Sequence, residues 1–243
     1  MTVPQSEVPT ESVGRTPRGS AILTARLGIA QALLLIASAW LLTLIPGPRS
    51  TDEEFVGFYL SDRRWLVILV GIYLMPFAAI AFIWFAVALR MWVGQSSSQP
   101  QDALLSNVQL VSAILFVALF LASAAASTVL AVTIEMSGGQ IDPVTARQFP
   151  QLGAALFVVF AMRMAAMFVF TTSGLARRHS ALPRWFVWSG YAVGLFLLLS
   201  ASLNRFLVLL FPVWVLTLSV ILLIKARRMP ADAPAGLGQS EAR

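Results

Sequence analysis

Six stretches of this chain are predominantly apolar over roughly twenty residues each, about the length that crosses a ~30 Å hydrocarbon core as a helix. They are Leu27–Ile45, Trp65–Leu89, Val108–Val132, Leu152–Leu175, Trp185–Ser202 and Phe206–Ile224. Backbone amides in lipid have no water to bond, so runs of this kind must close their hydrogen bonds internally. They predict an all-α fold, a polytopic membrane helical bundle with six transmembrane helices. Composition agrees. Charged residues make up 12% of the chain and the mean hydropathy is +0.80, about half the charged share of a soluble domain.

The flanks have a different character. Residues 1–26 read as a disordered basic cytoplasmic tail, 27–228 as the transmembrane domain, and 229–243 as a second disordered tail rich in Pro, Ala and Gly. Ala37-Ser38-Ala39 has the form of a signal-peptide cleavage site, but the apolar run continues through Trp40, Leu41, Leu42 and Leu44, which predicts an uncleaved helix. In the first loop, Phe55, Val56, Phe58, Tyr59 and Leu60 predict a short helix lying on the membrane face. Pro76 lies near the middle of the second run, where its missing amide frees the carbonyl of Ile72 and predicts a kink; Pro212 predicts another in the sixth. The third run is rich in small residues from Ala122 to Ser127, the mark of a centrally packed helix. Gly190 and Gly194 form a G-x-x-x-G in the fifth, a close helix contact or a landing place for a partner helix. Leu203-Asn204-Arg205 reads as a tight turn between the last two spans.

Six crossings put both termini on one side. Near the membrane that side carries Arg15, Arg18, Arg26, Arg90, Arg177, Arg178, Arg184, Lys225, Arg227 and Arg228, against Arg49, Arg63, Arg64, Arg147 and Arg205 on the other. The positive-inside rule then predicts cytoplasmic termini. The same distribution accounts for the net charge of +6 by topology and anionic headgroups rather than by nucleic acid. Trp65, Trp92 and Trp185 fit an interfacial belt. The segments Arg64-Trp65…Gly71 and Arg184-Trp185…Gly190 hint at an inverted repeat, but their spacing differs by one residue and interfacial anchoring explains Arg-Trp by itself.

The chemistry narrows to Arg163, a charge in the middle of the fourth run. Insertion scales put its cost at roughly 2.5–3.5 kcal/mol, so it requires a partner or a wet cavity. The expected partners are the Ile72 carbonyl and the hydroxyls of Tyr73, Ser123 and Ser127. With Gln31, a second polar residue within a span, these make a candidate intramembrane polar site. One reading is an anion or headgroup site in the bundle interior; the preferred one is a packing element that bonds carbonyls. Other chemistries lack their residues. The chain has no cysteine and one histidine, His179, which leaves no metal or haem ligand set and no cofactor. Buried carboxylates for proton coupling or aspartyl proteolysis, a Walker motif and G-x-G-x-x-G are also missing from the sequence.

Several segments together resemble a group of bacterial six-helix integral membrane proteins with no established activity. They are Tyr73-Leu74-Met75-Pro76-Phe77-Ala78-Ala79-Ile80-Ala81-Phe82-Ile83-Trp84, Arg163-Met164-Ala165-Ala166-Met167-Phe168, Leu182-Pro183-Arg184-Trp185, Gly190-Tyr191 and Phe211-Pro212-Val213-Trp214. The resemblance implies a bacterial inner-membrane location and carries no mechanism. The expectation is a non-enzymatic structural or regulatory bundle that binds a membrane-protein partner, or a second copy, within the lipid bilayer. The alternative is a small transporter or lipid- or anion-binding protein using Arg163.

Overall fold

A computed structural model of the chain describes residues 17–47, 49–94, 100–138, 142–199 and 208–228. All regular structure among them is helical. Helix α1 is Pro17–Leu42, α2 Asp52–Leu60, α3 Asp62–Val93, α4 Pro100–Ser137, α5 Pro143–Arg178, α6 Arg184–Leu199 and α7 Leu210–Arg228. Five of them, α1, α3, α4, α5 and α7, are long and apolar enough to cross a membrane. The predicted fifth span corresponds to α6, which is apolar but has 16 described residues. The Leu203-Asn204-Arg205 turn, the start of the predicted sixth span at Phe206 and the tails over 1–16 and 229–243 lie outside the described residues.

The helices overrun the apolar windows. The segment assigned to the first tail is helical from Pro17, because Ser20, Ala21, Thr24 and Ala25 form a small buried face, and the Thr24 hydroxyl returns to the Ser20 carbonyl at 2.8 Å. Helix α4 begins at Pro100, well before the predicted third span at Val108, and ends against Gly138, whose φ of 59° is the left-handed stop common after helices. Residue Ser180 takes the same conformation after α5, with φ 48°, and the Ala181 amide reaches the Ala176 carbonyl at 3.0 Å to close that end.

Helix α2 is where the first loop predicted one, opened by a capping box between Thr51 and Glu54. Its apolar side does not lie on lipid. Phe55, Phe58 and Tyr59 are buried against Val67, Leu130, Ala131, Ile134 and Ala146, so α2 lids one end of the bundle. The fold offers those aromatic rings a protein surface that a sequence window cannot show.

Successive long helices are neighbours: α3 packs on α1, α4 on α3, α5 on α4 and α6 on α5, while α7 returns to α1. The centre is aromatic. Phe82 of α3 meets Phe116 of α4 at 4.9 Å between centroids, Phe168 of α5 at 5.1 Å and Phe211 of α7 at 5.6 Å, and all four rings are fully buried. Phe120 extends the cluster to Phe157 at 5.2 Å. Offset and edge contacts of this kind add to simple burial.

At the helix interfaces a glycine stands opposite a serine or threonine. A methyl added at Gly28 would come within 2.1 Å of Ser219 Oγ, at Gly71 within 2.0 Å of Thr128 Cγ2, at Gly153 within 2.0 Å of Ser127 Oγ and at Gly190 within 2.1 Å of Ser173 Oγ. These pairs draw together α1 with α7, α3 with α4, α4 with α5, and α5 with α6, by the small-residue logic of membrane helix packing.

Candidate functional site

The sequence singles out Arg163, and the structure places it just beyond a π-helical stretch, Leu156–Ala161, within α5. Its Nη1 donates to the carbonyl of Val159, inside that stretch, and the side chain is half-buried. The local ladder is loosened there, with the Met162 amide reaching back to Phe157, so the guanidinium finds a carbonyl on its own helix.

The expected partners are engaged elsewhere. Ser123 Oγ donates to the Gly153 carbonyl at 2.7 Å, and Ser127 packs against the same glycine. Tyr73 is 54% exposed and Ile72 is also exposed, both on the outer face of α3. Just before Pro76, where a kink is expected, the helix has a second π-helical stretch, Leu69–Leu74, with the Met75 amide bonded to Val70. It absorbs the missing proline donor by a change of helical pitch. Pro212 is the third residue of α7 as described. Gly190 and Gly194 are buried against Ser173 and Phe170 of α5, so their close contact is made inside the bundle and leaves no groove there for a partner helix.

Gln31 is buried to 1% exposure, and neither its Oε1 nor its Nε2 has a hydrogen-bond partner among the described residues. Ser173 Oγ and Trp214 Nε1 are likewise buried and unpartnered, and both lie beside Gly190. Gln109 donates from Nε2 to Thr172 Oγ1 at 2.7 Å, leaving its Oε1 without a bond.

Two polar clusters escaped the sequence reading. At the end of the bundle where α4 begins and α5 ends, Asp102 is 5% exposed and faces Arg178 Nη1 at 3.3 Å and His179 Nε2 at 3.4 Å. On the same side, Arg90 donates to Ser106 at 2.8 Å and Asn107 at 2.7 Å, while Lys225 bonds the Ala181 carbonyl at 3.1 Å and lies over Trp92. The sequence signal was available: an acid in the first turn of one helix and bases in the last turn of the next suit both dipoles and meet when the helices are antiparallel neighbours.

At the opposite end, Arg147 holds the first loop. Its Nη2 donates to the carbonyls of Ser50 and Thr51 and to Asp52 Oδ1, each at 2.9 Å, with the guanidinium 4.5 Å from the centre of the Phe55 ring. Arg64 pairs with Glu135 at 2.8 Å. Burial pushes the Tyr59 phenol up to about 12. Hydrogen bonds from the Thr145 hydroxyl and amide hold the Asp142 carboxyl below its usual range. These arrangements tie loops and helix ends together; they juxtapose no nucleophile with a base.

The chain matches no known protein family, and no characterised protein or solved structure is significantly similar to it.

Proposed function

We propose that this chain is a six-helix bacterial inner-membrane protein, with both termini cytoplasmic, that works by binding a membrane partner and performs no catalysis. The observation that carries this reading is the aromatic centre. Phe82, Phe116, Phe168 and Phe211 come from four helices and are fully buried against one another, which favours a dry, close-packed middle over a solute path. The polar contacts at the two ends fit a frame that holds its shape.

A second reading, a small transporter or a lipid- or anion-binding protein, draws on the buried and unpartnered atoms of Gln31, Gln109, Ser173 and Trp214, since groups of this kind also line wet pathways. Thiol labelling separates the two, and the absence of native cysteine makes the background clean. Single cysteines at Ala113, Ala165 and Ser173 are exposed to a charged, water-soluble thiol reagent in intact vesicles. The packed reading expects labelling only after denaturation. Rapid labelling at two or more of these positions in the folded protein overturns it in favour of a pathway.

A further inference from the structure

We propose that Arg163 is the docking point for a carboxylate in the transmembrane helix of a different protein. The inference rests on the partner-binding reading above and gives that partner its chemistry.

Depth comes first. At ~1.5 Å per residue, Arg163 stands about 21 Å along α5 from Arg177, the next charged residue toward one end, and about 18 Å from Gln151, the next polar residue toward the other. A core ~30 Å thick puts that position near the midplane, and neither headgroup layer is within reach of one arginine side chain. A phospholipid phosphate therefore does not neutralise it. The Val159 carbonyl occupies one of the five guanidinium N–H donors and supplies no countercharge.

The next question is which carboxylate can. The chain has eleven acidic residues, and none lies in the middle of a span. Asp62, Asp102 and Glu135 stand near helix ends, with Glu135 paired to Arg64 and Asp102 to Arg178. Asp52, Glu53, Glu54 and Asp142 belong to the loop side of the bundle, and Glu7, Glu11, Asp232 and Glu241 to the termini. A second copy carries the same set, so it brings no acid to this depth either. Among protein carboxylates, the one able to meet Arg163 is therefore an Asp or Glu near the centre of another protein's spanning helix.

The surface around the charge suits a helix. Phe160, Arg163, Met164 and Met167 recur at i, i+3, i+4 and i+7, one stripe of α5. Phe160 is 52% exposed and Arg163 and Met167 are half-buried, with Met164 resting partly on the core, whereas Ala161, Met162, Ala165 and Ala166 on the opposite side are buried. Methionine side chains adapt to an incoming surface, and a charge-assisted bond from a guanidinium to a carboxylate is roughly twice as strong as a neutral hydrogen bond.

The test uses the full-length protein in phosphatidylcholine vesicles. The probes are synthetic Leu/Ala transmembrane helices, flanked by lysines and labelled for energy transfer, that carry Glu, Gln or Leu at the centre. The expected result is association of the Glu helix about tenfold stronger than the Leu helix. It is expected to be lost in Arg163→Leu, partly retained in Arg163→Lys, and weakened when the Glu is moved two turns toward either end. Equal association of the Glu and Leu helices with the unmodified protein overturns the proposal, and this comparison does not depend on the folding of any variant. Association of the Glu helix that is unchanged in a folded Arg163→Leu protein overturns it as well, as does recovery of Arg163-dependent binding only by anionic lipid. A dry midplane by thiol labelling, together with an indifferent Glu helix, would sink this inference and leave the partner-binding bundle standing.

Discussion

At the residue scale the tightest constraints are glycines that face hydroxyls. A Cβ at Gly190 would stand 2.1 Å from Ser173 Oγ but 3.3 Å from Ser173 Cβ. Gly190→Ala is therefore expected to destabilise the protein by about 1–3 kcal/mol through overpacking. Adding Ser173→Ala removes the clashing oxygen and should restore most of the loss. Unfolding of the purified protein in mixed detergent measures both, and losses that simply add in the double variant would disprove the contact. Gly190 was legible in the sequence as a packing residue because its G-x-x-x-G spacing puts two glycines on one face. Its partner was not, since the height and rotation of α6 against α5 leave no trace in either helix alone. Arg163 shows the same division. Its need for oxygen was plain, but its bond to Val159 depends on a π-helical stretch that the apolar sequence Leu156–Ala161 does not announce.

Among the elements, α2 and the loop that Arg147 holds form the least expected part of the structure. The ion pair with exposed Asp52 contributes little by itself. The bonds to the Ser50 and Thr51 carbonyls and the face of Phe55 pin the chain that enters α2. Arg147→Ala is expected to cost about 1–3 kcal/mol and to open the first loop to protease. Arg147→Lys should recover little, because a single ammonium cannot span the fork. Limited proteolysis of proteoliposomes reads this directly; an unchanged cleavage rate in the Ala variant would show that the loop is held some other way. Helix existence was readable from the apolar runs, while helix ends were not. Segments such as Ser20–Thr24 and Asp102–Gln109 are too polar for a hydropathy window, yet they are helical because their small or hydrogen-bonding side chains are buried against neighbours.

For the molecule as a whole, the number of crossings decides which face is which. Six crossings with cytoplasmic termini place Arg147 and α2 outside and the Asp102–His179 contact inside. A fluorescent protein fused after Arg228 should then fluoresce, and alkaline phosphatase inserted after Gly138 should be active. Active phosphatase at both positions would instead indicate five crossings. The order of the helices has a further consequence, for biogenesis. Among the described helices α1 is made before the others, and it packs against α7, made after them, with Gly28 set on Ser219. Until α7 is made, α1 has α3 as its main neighbour among the described helices and lacks the contact of Ser219 on Gly28. The ring of helices therefore closes only once α7 is inserted, and a chain cut short of Leu210 is expected to leave α1 with an open edge in the bilayer.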